Sequence, residues 1–134
     1  MVLLMGEYLF VYGTLRPGDA PNALICTIKM CRVIGGAFTY GVLYDFGEYP
    51  GAVLDCLSKQ KVFGTVLELP DNAGVLERFD EYEGFNASAP GDSVFVRVLG
   101  TVELDSGSTI RSWIYVYNGE PGSAPILRDG KWNM

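Results

Sequence analysis

The chain contains no histidine. That absence excludes a Ser-His-Asp triad, a Cys-His dyad, a histidine-ligated metal and a histidine general base. An enzyme built on this sequence must move protons with a carboxylate, a tyrosine, a cysteine, a lysine or the backbone. Positive charge is also scarce: 10 Lys and Arg stand against 16 Asp and Glu, a formal charge of −6. The cations are scattered and form no stripe, which argues against nucleic acid as a partner. No apolar run approaches the roughly 18 residues that a membrane-spanning helix needs. The apolar start, Met1 to Met5, has no cation before it and Glu7 just after it, so it makes a poor signal peptide. Cysteine is sparse and odd in number. Cys26, Cys31 and Cys56 fit neither a C-x-x-C site nor a disulfide framework. The expectation is a reduced, cytoplasmic protein in which each thiol is buried as a small apolar side chain.

Familiar nucleotide and hydrolase signatures are missing as well. There is no G-x-x-x-x-G-K-[ST], no strand–G-x-G-x-x-G–helix and no G-x-S-x-G. Asp45, Asp80, Glu81 and Glu83 are the acidic residues from which a hard-metal site would have to be drawn, but no EF-hand-type loop supports one. The expected metal and cofactor content is none.

What is present suits one domain with one core. The 134 residues are 49% apolar and 19% charged, so disorder is disfavoured. The 17 glycines and 7 prolines are spread along the chain and indicate many turns rather than one linker. Tyr8 to Tyr12 is aromatic and β-branched and stops at Gly13, as a buried strand ending in a tight turn does. A short helix is expected from Pro21 to about Cys26, with Asp19 or Ala20 near its cap. Met30–Gly36 and Phe38–Tyr44 read as two strands joined at Gly35-Gly36, and residues 47–51 as a loop. Ala52–Cys56 and Val62–Leu69 read as two more strands.

Asp71 to Tyr82 is the clearest helix, with Asp71 or Asn72 as N-cap and Gly84 as C-terminal cap. Val75, Leu76, Phe79, Tyr82 and Glu83 fall on one stripe at helical spacing. Residues 86–92 form a polar loop. Val94–Leu104 and Thr109–Tyr117 are long β runs joined by the turn residues 105–108. In the second run Trp113, Tyr115 and Tyr117 share one face, and Ile114 and Val116 the other. Asp129-Gly130 is a last turn before Trp132. Six or seven strands in a small chain favour a closed or nearly closed sheet.

Three places carry chemistry. Glu83 continues the apolar stripe of Leu76 and Phe79, and a carboxylate held among apolar groups titrates high, as a general acid/base must. The alternative is a helix-end side chain that swings past Gly84 to solvent. Tyr12-Gly13-Thr14-Leu15 opens a buried strand into a glycine turn, whose successive N–H groups can bind a carboxylate. The alternative there is an ordinary strand-ending turn. Tyr49-Pro50-Gly51 and the Tyr115/Tyr117 face either line a pocket or simply pack.

Four segments in this order resemble the gamma-glutamylcyclotransferase-like family, particularly its small members near gamma-glutamylamine cyclotransferase. They are Phe10-Val11-Tyr12-Gly13-Thr14-Leu15-Arg16, then Gly47-Glu48-Tyr49-Pro50-Gly51-Ala52-Val53, then Val62 to Leu69, then Leu76-Glu77-Arg78-Phe79-Asp80-Glu81-Tyr82-Glu83-Gly84. Val96-Arg97-Val98 and Trp113 to Tyr117 fit too. The resemblance covers most of residues 8 to 117. It implies an α+β fold: a small mixed β-barrel with one main helix and short flanking helices, spanning 1–134 as a single domain. It implies a binding loop at Tyr12 to Leu15 and an acid/base glutamate at Glu83.

The implied reaction is intramolecular. The α-amine of a small gamma-glutamyl substrate attacks the side chain's own carbonyl, closes 5-oxoproline and expels an amine, with no cofactor. A catalytically silent small-acid-binding or regulatory domain of the same fold is the alternative, motivated by Phe95, where a hydroxyl is missing. A protein-interaction domain using an exposed Trp132 is a third. Nothing in the sequence sets the oligomeric state or the leaving amine.

Overall fold

The computed structural model describes residues 7–13, 15–16, 21–71, 74–86 and 88–132. The chain order is β1 (Tyr8–Val11), α1 (Asn22–Lys29), β2 (Arg32–Asp45), β3 (Pro50–Leu54), β4 (Lys61–Glu68), α2 (Val75–Glu83), β5 (Phe95–Leu104) and β6 (Thr109–Tyr117). A single 3-10 turn, Pro90–Asp92, precedes β5.

The strands run β3-β2-β4-β1-β6-β5, and β2 also pairs with β5. That last pairing, Ala37 with Leu104 and Phe38 with Glu103, closes β2, β4, β1, β6 and β5 into a five-stranded barrel. The barrel is mixed: β1 and β6 are parallel, with Leu9 opposite Trp113, while β1–β4, β2–β4 and β5–β6 are antiparallel. β3 extends the far half of β2 outside the ring, from Gly41 opposite Leu54 to Asp45 opposite Pro50. The expected α+β mixed barrel is the fold observed.

Alternation along β1 divides the core in two. Tyr8, Phe10 and Tyr12 point into the barrel with Val62, Val66 and Ile114. Leu9 and Val11 point outward, where Leu24 and Ile28 of α1 and Val75 and Phe79 of α2 cover them. The same rule sorts β6, whose Ile114 joins the barrel interior and whose Tyr115 joins the outer layer.

Several boundaries differ from those the sequence predicts. The two strands expected around Gly35-Gly36 are one 14-residue strand, with a register shift between Val33 and Gly35. A bulge bends the long strand around the barrel where a turn was expected. Pro50 and Gly51 belong to β3, with Pro50 as its first residue, a position where its missing N–H costs little. α1 continues to Lys29, and α2 begins at Val75 with Gly74 as N-cap and no side-chain cap. Asp71 therefore lies before the helix, and Asn72, Asp19 and Ala20 lie outside the described residues. The two helices are nearly equal, at 8 and 9 residues.

The cysteines correct the expectation of burial. Cys26 and Cys56 are exposed, and only Cys31 is half-buried, with its Sγ 3.6 Å from the Thr27 carbonyl oxygen that accepts from it. Trp132 is not an exposed aromatic; it is half-buried and packs against the barrel interior cluster. No helix among the described residues is long and apolar enough to cross a membrane.

Candidate active site

A cavity of about 380 Å³ opens where the end of β1, the start of β3, the end of α2 and the start of β5 meet. Tyr12, Gly13 and Leu15 come to it from the β1 turn, and Tyr49 and Pro50 from the β2–β3 connection. Tyr82, Glu83 and Gly84 close it from α2, and Phe95 and Tyr115 from the barrel wall. Tyr49, Tyr82 and Val94 at its edge are 38%, 43% and 49% exposed, so the mouth is apolar and open to solvent.

The β1 turn is held from its own carbonyl. The Gly13 carbonyl oxygen accepts from the Arg16 backbone N–H at 3.1 Å and from Arg16 Nε at 3.1 Å. The other end of the buried Arg16 guanidinium donates through Nη2 to the Trp132 carbonyl oxygen. Among the described residues, no acceptor meets the N–H of Gly13 or Leu15. Thr14 lies outside the described residues.

Glu83 is the last residue of α2. Gly84 follows with φ 72°, and its N–H donates back to the Glu81 carbonyl oxygen at 3.2 Å. This left-handed cap ends the helix sharply, a conformation glycine adopts without strain. The stripe continues as the spacing requires: Val75 and Phe79 are buried, and Glu83 is half-buried beside the cavity. Tyr82, on the same stripe by the sequence, is exposed instead. Burial pushes the Glu83 carboxyl up to about 7. Among the described residues no cation pairs with it.

Tyr12 and Tyr115 feel that carboxylate. Both hydroxyls are held above the usual phenol range, chiefly by burial, and the Glu83 charge pushes each further in the same direction. Neither hydroxyl points loose into the cavity. The Tyr12 hydroxyl donates to the Tyr115 carbonyl oxygen at 2.5 Å and accepts from the Ala52 N–H at 3.1 Å. The Tyr115 hydroxyl donates to Asp80 Oδ1 at 2.6 Å. The two rings line the cavity while their oxygens brace its walls.

The cavity thus gathers Glu83, Tyr12, Gly13, Leu15, Tyr49 and Tyr115, six of the residues the sequence singles out. Tyr117 is not among them. Its ring stacks on Phe46 at 4.3 Å and meets Phe95 edge-on at 6.0 Å, so it supports the wall from behind. What the sequence reading passes over is the pairing of Asp80 with Arg97: Asp80 enters it as an acidic residue for a hard-metal site, and Arg97 only within a matching segment. Asp80 lies on the arc beside the apolar stripe, which reads as solvent-facing. The signal available was Arg97, a lone cation in the apolar run Val94 to Val98. No three His, Cys, Asp or Glu side chains gather to hold a metal among the described residues.

The chain's likeness to known proteins points one way. A family model described as gamma-glutamyl cyclotransferase, AIG2-like, matches residues 9–134. Gamma-L-glutamyl-butirosin B gamma-glutamyl cyclotransferase of Niallia circulans is 37% identical over 82% of this chain. The chain spans 66% of the length of that relative. The crystal structure of YkqA from Bacillus subtilis superposes with a TM-score of 0.69 at 25% identity, over 96% of this chain and 40% of that one. An aig2-like protein from Mus musculus superposes with a TM-score of 0.70 at 20% identity, over 96% of this chain and 88% of that one.

Proposed function

This chain belongs to the gamma-glutamyl cyclotransferase, AIG2-like family, and on that premise we propose that it cyclises a gamma-glutamyl amine or gamma-glutamyl amino acid to 5-oxoproline with release of the amine. One observation carries the proposal: Glu83 borders the same cavity as Tyr12, Gly13 and Leu15. The butirosin relative, named for a cyclotransferase acting on a gamma-glutamyl compound, supports it.

The chemistry asks little of the protein. The substrate's α-nitrogen forms a bond to its own γ-carbonyl carbon, and the bond from that carbon to the leaving nitrogen breaks. Both partners are in one molecule, so holding a folded conformer supplies much of the acceleration. The α-ammonium first gives one proton to solvent; as the neutral amine attacks, its nitrogen gives a second to the Glu83 carboxylate, and that second proton passes to the leaving nitrogen. A carboxyl near pH 7 in its affinity both takes and gives that proton. The N–H groups of the β1 turn receive the substrate α-carboxylate, in the manner of a backbone anion nest. The aromatic rings of Tyr49 and Phe95 offer the folded substrate an apolar surface to pack against.

The reaction so written is of acyltransferase or lyase type and calls for no metal and no organic cofactor. The partner is a small gamma-glutamyl compound, met in the cytoplasm, and neither nucleic acid nor a membrane takes part. The test is 5-oxoproline release from a panel of gamma-glutamyl amines and amino acids, run beside thermal melting with 5-oxoproline. Turnover of any member supports the enzyme. No turnover with a raised melting temperature points to the silent acid-binding domain instead.

A further inference from the structure

α2 is too short to stand alone. Nine residues without a side-chain N-cap make a marginal helix in water, so contacts with the barrel must hold it. Val75 and Phe79 supply apolar contacts, which resist separation but allow sliding and rotation. Asp80 supplies direction. Its Oδ1 accepts from Arg97 Nε at 2.7 Å and from the Tyr115 hydroxyl at 2.6 Å, and its Oδ2 accepts from Arg97 Nη2 at 3.1 Å. The side chains of Asp80 and Arg97 are each 15% exposed, so the two-pronged pair is largely shielded from water. Arg97 in turn lies over the Trp113 ring at 4.3 Å.

Tyr115 carries the link across the cavity. Its hydroxyl reaches Asp80 on α2, and its carbonyl oxygen receives the Tyr12 hydroxyl, which itself receives the Ala52 N–H. An unbroken series of polar contacts therefore joins the helix that ends in Glu83 to the strand that opens into Gly13. Asp80 lies three residues before Glu83, one helical turn away on a rigid element. Its oxygens are committed to three donors, so it does not receive substrate.

We propose that Asp80, Arg97 and Tyr115 act as positioning residues that fix the Glu83 carboxylate relative to Gly13 and Leu15 across the cavity. The proposal builds on the reading of Glu83 as proton carrier, but its test does not depend on turnover. Displacement of a reacting group by about 1 Å can cost on the order of 100-fold in rate. Loss of either tether from α2 permits a displacement of that size.

The test follows Glu83 itself, by carbon-13 NMR titration of glutamate-labelled protein, with the resonance assigned through Glu83→Gln. The titratable groups that line the cavity with it are Tyr12, Tyr49, Tyr82 and Tyr115; Asp80 and Glu81 share its helix, and Arg97 meets that helix through Asp80. Tyr115→Phe changes no charge and removes only the bond to Asp80. Arg97→Gln removes a cation, whose loss alone would raise the Glu83 midpoint. The expected result is a lower midpoint in both variants, as a released carboxylate reaches water. Glu81→Gln, on the exposed face, leaves the midpoint where it is. An unchanged midpoint in Tyr115→Phe, or a raised one in Arg97→Gln, overturns the proposal. In the same variants kcat for 5-oxoproline release should fall by about 10- to 100-fold, with KM changing less. If wild type releases no 5-oxoproline from any substrate, the cyclotransferase reading fails, while the Glu83 midpoints still decide the positioning role.

Discussion

Tyr12 donates its hydroxyl hydrogen to the carbonyl oxygen of Tyr115 at 2.5 Å, tying the end of β1 to β6 across the floor of the cavity. The Tyr12 hydroxyl oxygen in turn accepts from the Ala52 N–H at 3.1 Å, so one buried hydroxyl satisfies two buried backbone groups. Tyr12→Phe leaves both without a partner. A buried unsatisfied group costs about 1–3 kcal/mol, so the melting temperature should drop by several degrees with the fold retained. Differential scanning calorimetry with a circular dichroism control measures this. A melting temperature equal to wild type would show that the brace contributes nothing.

Gly13 has little room beside it. A Cβ built there would lie 2.9 Å from Pro50 Cγ and 3.2 Å from Pro50 Cδ. Pro50 is rigid and buried at the start of β3, so it cannot turn aside as a flexible side chain would. Gly13→Ala should push the β2–β3 connection outward at a cost of about 1–3 kcal/mol. The change falls at the cavity, so 5-oxoproline affinity by calorimetric titration should weaken. Wild-type affinity in the variant would mean that the turn does not shape the binding site.

The glycine patterns show how far the sequence is legible and where it stops. The alternation of Tyr8 to Tyr12 and the hairpin of β5 and β6 are local periodicities that appear in the fold at their expected places, and the stripe of α2 holds at Val75, Phe79 and Glu83 but not at Tyr82. Gly35-Gly36 misleads because a glycine pair suits a bend within a strand as well as a turn between strands. Gly36 instead sits where β2 meets the β5–β6 turn, its carbonyl oxygen accepting from the Asp105 N–H at 3.0 Å, a neighbour that no local pattern reveals. Glu83 is legible because its own helix marks it. Asp80 is not, because its partners, Arg97 and Tyr115, lie 17 and 35 residues away. Tyr117 fails for the related reason that sharing a strand face with Tyr115 does not fix which of the two reaches the cavity.

Stability should carry the signature of Glu83. Its carboxyl is raised to about 7 in the folded protein by burial, against about 4.3 for an unfolded glutamate. A raised acid favours the folded state when protonated. Its stabilising contribution is therefore full below about pH 4.3 and is lost as pH rises through about 7. Between those values the unfolding free energy of wild type should fall relative to that of Glu83→Gln, which carries no such proton. Urea unfolding at a series of pH values measures the difference. Parallel stability curves for the two proteins would place Glu83 in water.

The central claim is that the Glu83 carboxylate carries the proton between the two nitrogens of a gamma-glutamyl substrate. Its most direct test is single-turnover release of 5-oxoproline by wild type and by Glu83→Gln, with 5-oxoproline binding measured in both. Removal of a general acid/base costs about 100- to 10,000-fold. The predicted result is a loss of that size in Glu83→Gln with binding retained. Turnover by Glu83→Gln at the wild-type rate would contradict the claim.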